Sequence, residues 1–151
     1  MNCARAARRP CTATRSTSPT ATRCVPRPPI SSPARPPPDI VVANAGISSG
    51  TLTERSEDLE AIRRIFATNV IGMAATFAPF IAAMRAKAAD GRSSARLVGI
   101  ASVAGIRGLP GAEAYSASKA AVISYLESLR VELRSSGIRV VTIAPGYIAT
   151  P

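Results

Sequence analysis

Two side chains capable of acid–base chemistry, Tyr115 and Lys119, stand four positions apart in the sequence. On a helix, residues at this spacing share one face, with Cβ atoms roughly 5–6 Å apart. A tyrosine ordinarily ionises at about pH 10, so it is a poor acid or base at neutral pH, but a neighbouring ammonium favours the phenolate. Ser102, thirteen residues before the tyrosine, supplies a hydroxyl that could hold a substrate oxygen beside the phenol. The alternative interpretation is an ordinary amphipathic helix with both residues on its exposed side.

Three further motifs accompany this pair along the chain. Residues 39–46 form a short apolar run that ends in Asn-Ala-Gly, which is typical of a buried strand entering a tight turn. Asn69 lies within a long helical pattern, and residues 139–146 form a second buried run that ends in Pro-Gly, with Thr150 four residues later. Together with the serine and the Tyr-x-x-x-Lys motif, these features resemble the short-chain dehydrogenase/reductase family over about residues 37 to 151.

The elements that must carry these residues alternate between strand and helix. Apolar periodicity and turn residues predict strands over 39–43, 96–100 and 138–144, and helices over 56–87 and 113–135. The sequence also predicts bends at 69–72 and at Pro79, a turn at 90–94, a glycine-rich loop at 102–111 and a helix end before Gly137. Buried strands that alternate with helices indicate parallel pairing and right-handed crossovers. The predicted fold class is therefore α/β: a partial Rossmann-like, doubly wound parallel sheet with central strands and helices only, preceded by a disordered N-terminus.

The resemblance implies a catalytic role for four residues. Tyr115 would act as the general acid in carbonyl reduction and as the general base in alcohol oxidation. Lys119 would favour the ionised form of the tyrosine and bind the nicotinamide ribose, while Ser102 would orient the substrate oxygen and stabilise the developing alkoxide. Asn69 would use the bent helix backbone to hold a water that links Lys119 to solvent as a proton relay. The alternative for Asn69 is an interior polar residue that caps the bend, and the two roles are compatible.

The resemblance also implies a nicotinamide dinucleotide, NAD or NADP, as the cofactor. The residues that would contact it are Asn44, Ala45, Gly46, Tyr115, Lys119, Pro145, Gly146 and Thr150. Gly46 would let the backbone approach the cofactor, and Pro145 and Gly146 would shape the nicotinamide pocket. Thr150 would bond the carboxamide, unless it is a terminal residue without a partner. Asn44 is expected to tie adjacent strands together through its amide more than to touch substrate.

Composition bounds the class of protein. A chain of 151 residues accommodates one domain, and 46% hydrophobic residues suffice for a core. The sequence contains no run of eighteen apolar residues, so no membrane span is predicted, and no apolar stretch follows the first arginines as in a secretory signal. The three cysteines lack metal-ligand spacing and the chain has no histidine, so no metal site is predicted. The absence of cysteine from the catalytic half suits a cytoplasmic protein.

Residues 1–38 differ in composition from residues 39–151, the predicted partial Rossmann domain. They hold nine of the thirteen prolines, seven arginines and no acidic residue, and they contribute +7 of the net charge of +10. Proline at this density excludes a helix or a central strand, so we expect a disordered basic segment. Three interpretations stay open: a targeting leader, an arm attracted to nucleic acid by charge, and sequence read out of frame. With permitted synonymous codons, residues 12–20 read two bases later give Gly-Tyr-Ala-Val-Asp-Val-Thr-Asp, which resembles the end of the family's third strand.

Two function classes follow from these features. The first is an NAD(P)-dependent oxidoreductase that transfers hydride between the dinucleotide and a small-molecule carbonyl or secondary alcohol. The second is a noncatalytic remnant, truncated at both ends, that does not bind the cofactor. The second class is kept because the family binds the dinucleotide phosphates with a glycine-rich turn, whereas the first glycine of this chain is Gly46.

Further partners are predicted from the final helix and from the basic segment. The final helix carries apolar residues on more than one side, namely Ala120, Ala121, Val122, Ile123, Tyr125, Leu126 and Leu129. In the family, helices of this region pack against their twins in a second subunit, so a homo-oligomer is expected. No membrane partner is expected, because the sequence has no run of eighteen apolar residues. No specific nucleic-acid partner is expected, because the basic segment has no aromatic residue to stack on bases.

Overall fold

The computed structural model describes residues 36–89 and 95–149. The predictions for residues 1–35, for the turn at 90–94 and for Thr150 lie outside the described residues. The elements are, in chain order, β1 (Ile40–Ala43), a 3-10 turn (Ser56–Asp58), α1 (Leu59–Phe66), a π turn (Ala67–Ile71), α2 (Gly72–Ala89), β2 (Ala95–Ile100), a 3-10 turn (Val103–Gly105), α3 (Glu113–Glu132) and β3 (Ile138–Ile143).

Within these ranges, the strands form a parallel sheet in the order β1-β2-β3. Val41 lies beside Leu97, which lies beside Val140 on its other side. The strands are short and rich in β-branched residues, which pack well on a pleated surface. Helices connect the successive parallel strands, so the predicted α/β fold with a partial Rossmann-like sheet is confirmed.

Helices α2 and α3 pack on one face of the sheet. Side chains alternate along β1, where Val41 and Ala43 are buried while Ile40 and Val42 are 51% and 52% exposed on the opposite face. The rest of this core comes from Met73, Phe77, Met84, Ala95, Leu97, Ala101, Val122, Leu126, Leu129, Leu133, Ile138 and Val140. Because the core lies between the helices and one sheet face, the ends of the strands stay available for a site.

Helix α3 approaches β2 closely at Gly99. A Cβ at this position would lie 2.5 Å from Cδ1 and 2.8 Å from Cδ2 of Leu126. Carbon atoms in contact are normally about 3.5–4.0 Å apart, so any side chain at Gly99 would push the helix away from the strand. The glycine thereby brings the carboxyl end of β2 next to α3.

The long helical segment between β1 and β2 changes its geometry near its middle. The bend predicted at 69–72 coincides with the π turn Ala67–Ile71, in which Asn69 is buried. A π turn widens the helix locally, and such turns often lie at functional sites. Helix α2 continues through Pro79, the second predicted bend, as a single element.

This helical segment is also strongly apolar. By length and composition alone, the 34 residues of Ser56–Ala89 could cross a membrane, with a mean hydropathy of 1.7 in their most apolar window. Met73, Phe77 and Met84 of the segment are buried in the core against the sheet. Core helices pass the same test, so the hydropathy does not by itself indicate a membrane span.

Helix α3 ends at Glu132, before the end predicted near residue 135. The hydroxyl of Ser136 donates a hydrogen bond to the carbonyl of Leu133 over 2.7 Å, which satisfies one acceptor at the helix end. Gly137 then adopts a φ of +75°, the left-handed geometry that glycine favours after helices. The local serine bond and the glycine together turn the chain into β3.

Replacing Gly137 with alanine should destabilise the protein by about 1–3 kcal/mol, the cost of holding a side-chain-bearing residue in left-handed geometry. The new Cβ would also lie 2.8 Å from the Cβ of Ala88. Gly111→Ala is the matched control, because φ there is +67° but a Cβ would meet no atom within 4 Å. In urea unfolding, wild type should be most stable and Gly137→Ala least stable. Equal stability of the two variants would contradict the contact at Ala88.

Candidate active site

The carboxyl ends of the three strands meet at one edge of the sheet, the position at which open α/β sheets bind ligands. A cavity of about 280 Å³ opens there, lined by Asn44, Gly46, Ile47, Ser48, Ile100, Ala101, Ser102, Tyr115, Lys119, Pro145 and Gly146. Seven of these residues are among the ten that the sequence predicts as catalytic or cofactor-binding, and the fold brings them to one place. Of the other three, Ala45 is exposed outside this lining, Asn69 is buried beside it, and Thr150 lies outside the described residues.

Lys119 places a buried ammonium at the base of this cavity. The residue is 4% exposed, and its Nζ donates a hydrogen bond to the carbonyl of Ile100 over 2.9 Å. The same Nζ lies 5.7 Å from the centre of the Tyr115 ring. Among the described residues, no carboxylate forms an ion pair with Lys119. Burial disfavours the charged ammonium, and no acid compensates for this cost. The pKa of Lys119 is therefore lowered.

Ser102 and Tyr115 place two hydroxyl groups at the mouth of the cavity. Ser102 follows β2, and its Oγ accepts a hydrogen bond from the backbone N–H of Ala104 over 3.2 Å at the start of the 3-10 turn. This bond holds the serine oxygen and leaves the hydroxyl proton available to a ligand. Tyr115 lies in the first turn of α3 and is half-buried. Both residues also line a second cavity, so they lie at the boundary between the two cavities.

The Asn69 side chain bonds to the loop that follows β1. Its Nδ2 donates to the carbonyl of Ile47 over 3.0 Å and to Oγ of Ser118 over 2.9 Å, and its Oδ1 accepts from the N–H of Ile47 over 2.8 Å. The side chain is thus occupied by protein groups, in keeping with an interior polar residue at the bend. The relay through a water on the helix backbone stays a prediction.

Gly46 lies against both of these groups. A Cβ on Gly46 would be 3.3 Å from Nζ of Lys119 and 3.4 Å from Oδ1 of Asn69. A side chain there would crowd the ammonium and the amide. The sequence predicts that this glycine lets the backbone approach a cofactor. In the structure, it also lets the loop after β1 lie close to Lys119.

Sequence reasoning missed Ser118. This residue is fully buried, donates its hydroxyl to the carbonyl of Tyr115 over 2.7 Å and accepts from Nδ2 of Asn69. It therefore connects α3 to the π turn. The available signal was its position three residues after Tyr115, since a helical serine often bonds a carbonyl one turn back.

The second cavity is larger and mainly apolar. It has a volume of about 510 Å³ and is lined by Ser102, Val103, Ala104, Ile106, Arg107, Leu109, Tyr115, Gly146 and Tyr147. Ile106 and Tyr147 are 69% and 95% exposed, so apolar surface lies open beside the two hydroxyl groups. The arrangement suits a ligand with an apolar body and one polar atom directed at Ser102 and Tyr115.

The described residues do not bring three His, Cys, Asp or Glu side chains together as a metal-binding group. The proton donors that line the cleft are the hydroxyls of Ser48, Ser102 and Tyr115 and the ammonium of Lys119, besides the amide of Asn44. Hydroxyls and an ammonium around a cavity can position a carbonyl or alcohol oxygen and exchange a proton with it.

Comparison with known proteins gives a consistent assignment. The family model described as short chain dehydrogenase matches residues 36–151. An uncharacterized oxidoreductase of Myxococcus xanthus is 46% identical over 110 residues, which cover 73% of this chain and 41% of the relative.

Solved structures give the same assignment. An acetoin dehydrogenase from Salmonella typhimurium superposes with a TM-score of 0.67 and 31% identity, over 75% of this chain and 43% of its own. A short-chain dehydrogenase/reductase from Burkholderia phymatum, solved in complex with NAD, has a TM-score of 0.63 and 30% identity, over 72% of this chain and 38% of its own. The chain spans about two fifths of the length of these relatives.

The ammonium of Lys119 should lose its proton below the ordinary lysine value of about 10.4, because burial penalises the charge. The chain has two lysines, Lys87 and Lys119, so side-chain NMR can follow the Lys119 signal with pH. Lys119→Met identifies that signal by removing it. A Lys119 midpoint at or above the ordinary value would contradict the burial of the ammonium.

The lowered pKa of Lys119 also makes the free energy of unfolding depend on pH. Because the unfolded chain holds the Lys119 proton more tightly than the folded protein, stability rises with pH between the lowered folded pKa and about 10.4. Urea unfolding should therefore favour wild type over Lys119→Met increasingly as the pH rises through this window. A difference between the two proteins that is constant with pH would contradict the shift.

Proposed function

Because this chain belongs to the short-chain dehydrogenase family, we propose that its cleft transfers hydride between NAD or NADP and a carbonyl compound or secondary alcohol. The convergence of Tyr115, Lys119 and Ser102 on one cavity is the observation that carries the proposal. Carbonyl reduction needs a group that releases a proton, a charge that favours its release, and a hydrogen-bond donor for the substrate oxygen. The three side chains meet these needs in that order.

Proton transfer belongs to Tyr115 in this proposal. The dinucleotide, when bound, supplies hydride to the carbonyl carbon or accepts it from the alcohol carbon. In reduction, Tyr115 donates its hydroxyl proton to the carbonyl oxygen, so that ketone, hydride and proton give the alcohol. In oxidation, the phenolate accepts the alcohol proton. Ser102 keeps its proton and donates a hydrogen bond to the same oxygen, since the serine Oγ is held by Ala104 N–H.

Lys119 and the loops around it are proposed to hold the nicotinamide end of the cofactor. An ammonium has three N–H donors, and the Ile100 carbonyl accepts one of them. The others remain for a ribose hydroxyl, and the charge lies 5.7 Å from the centre of the Tyr115 ring. Gly46 and Gly146 line the same cavity without side chains, which leaves room for a planar ring. Asn44 and Pro145 border that space. Ala45, from the same loop, would contact the cofactor from outside this lining, and Thr150 would bond the carboxamide.

The apolar cavity supports a substrate with an apolar body. Val103, Ile106 and Leu109 line it, and the two hydroxyl groups stand at one end. A volume of about 510 Å³ is within the range of small-molecule sites. We therefore propose ketones with an aryl or alkyl group as the substrate class, with the carbonyl oxygen between Ser102 and Tyr115.

A homo-oligomer in the cytoplasm completes the proposal. Ile123 and Tyr125, which the sequence assigned to a possible interface, are partly buried against the core of this chain. Ile71 and Val131 are 65% and 75% exposed and support an apolar contact on the helices instead.

Tyr115→Phe should lower the rate of hydride transfer by about 10²–10⁴-fold or more, because it removes the proton donor. Dinucleotide affinity should change little. The measurement is the oxidation of NADH and of NADPH by the full chain with acetophenone and longer methyl ketones, beside calorimetric titration of both nucleotides. Tyr125→Phe is the matched control on the same helix and should keep wild-type activity.

Two outcomes would contradict the proposal. Near-full activity of Tyr115→Phe would show that another group supplies the proton. Wild-type chain that neither oxidises nor binds either nucleotide would instead favour the alternative, a noncatalytic chain that does not bind the cofactor.

A further inference from the structure

We propose that Gly105 and Ser116 are positioning residues: they hold the loop 102–111 against α3 and so set the Ser102 hydroxyl opposite Tyr115. The inference rests on the proposed function for its kinetic consequence, while the attachment of the loop is a separate and measurable property. Neither residue is a catalytic residue here, since each acts through the position of Ser102.

Gly105 contacts the backbone of α3 directly. A Cβ on Gly105 would lie 2.6 Å from the carbonyl carbon of Lys119, 2.8 Å from its oxygen and 2.8 Å from the nitrogen of Ala120. These atoms belong to the interior of a twenty-residue helix and cannot rotate away as a side chain could. Any residue other than glycine must therefore move the loop.

Backbone freedom is not the reason for this glycine. Among the described residues, the glycines with positive φ are Gly111 and Gly137, and Gly105 is not one of them. Alanine could adopt the backbone geometry of Gly105 but could not occupy the space. The requirement at Gly105 is therefore contact with the helix.

The contact is connected to Ser102 over one short turn. The N–H of Gly105 donates to the carbonyl of Ser102 over 2.9 Å, and the N–H of Ala104 donates to the Ser102 Oγ over 3.2 Å. Movement of Gly105 away from α3 therefore moves the group that holds the serine oxygen. Lys119, on the other side of the contact, is itself bonded to Ile100, two residues before Ser102.

Ser116 provides a second attachment further along the loop. Its Oγ accepts a hydrogen bond from the N–H of Leu109 over 3.1 Å, and the residue is 6% exposed. Ser116 directly follows Tyr115 on α3, so the loop is tied to the helix next to the proposed proton donor. At its other end the loop is tied to the segment after β3, because the N–H of Val103 donates to the Pro145 carbonyl over 3.1 Å.

The contact distance sets the size of the displacement expected for the turn at Gly105. A carbon contact of 2.6 Å must open to about 3.5 Å, so alanine at Gly105 should shift the turn by about 1 Å. A misplacement of about 1 Å in a catalytic constellation can lower the rate by about 10²-fold. Gly105→Ala should therefore lower kcat by about that factor while nucleotide affinity stays near wild type.

The first test is hydrogen exchange on the full chain, which needs no turnover. Gly105→Ala should raise the exchange rates of the Ala104 and Leu109 amides by about tenfold, the scale of one lost hydrogen bond. Gly108→Ala is the matched control in the same loop, because a Cβ there would meet no atom within 4 Å. It should leave both amides at wild-type rates, and amides of β2 should not change in either variant.

Ser116→Ala gives a variant that adds no bulk and covers the case in which Gly105→Ala does not fold. It should raise exchange at Leu109 and lower kcat with acetophenone, with nucleotide affinity unchanged. Wild-type exchange in Gly105→Ala, or in Ser116→Ala when the former does not fold, would overturn the proposed attachment. Unchanged kcat despite faster exchange would overturn the positioning of Ser102. A wild-type chain without turnover would refute the proposed function, while the exchange rates would still decide whether the loop is held by α3.

Discussion

A buried positive charge constrains the whole of this site. The Lys119 ammonium is almost removed from water, and such a charge is stable only where polar groups replace the lost hydration. The Ile100 carbonyl does so at the end of β2, over 2.9 Å. The bond requires α3 to pack tightly over β2, which Gly99 permits, and requires room beside the ammonium, which Gly46 provides. The end of β2, helix α3 and the loop after β1 thus all meet at one hydrogen-bonded ammonium.

Asn69 extends this constraint to the other side of the cleft. The π turn puts its amide in reach of both the Ile47 backbone and the Ser118 hydroxyl. Ser118 bonds in turn to the Tyr115 carbonyl, so the loop after β1 and α3 are both connected to the buried Asn69 side chain. The groups proposed for chemistry are therefore held by polar contacts that are buried between Asn69 and Ser118 and partly buried elsewhere, which limits competition from water.

Local patterns predicted the elements well, because apolar runs, Pro-Gly and Asn-Ala-Gly signals are properties of neighbouring residues. The three strands, the bend at Asn69 and the convergence of Ser102, Tyr115 and Lys119 all follow from such patterns and from the family resemblance. The contact of Gly105 with the α3 backbone could not be predicted in this way, since it depends on how closely two packed elements approach. The same holds for the Ser118 bonds and for the early end of α3, which a single Ser136 hydroxyl bond helps to set.

The proposed function requires the cavity beside the Lys119 ammonium to receive the nicotinamide end of a dinucleotide. The most direct measurement is a titration of the full chain with NADH and with NADPH, followed through the two lysine side-chain NMR signals. The Lys119 signal should shift and saturate with one or both nucleotides, while that of Lys87, bonded to Asp39 at the opposite end of the sheet, should stay constant. A shift of Lys87 alone, or of neither lysine at saturating nucleotide, would contradict it.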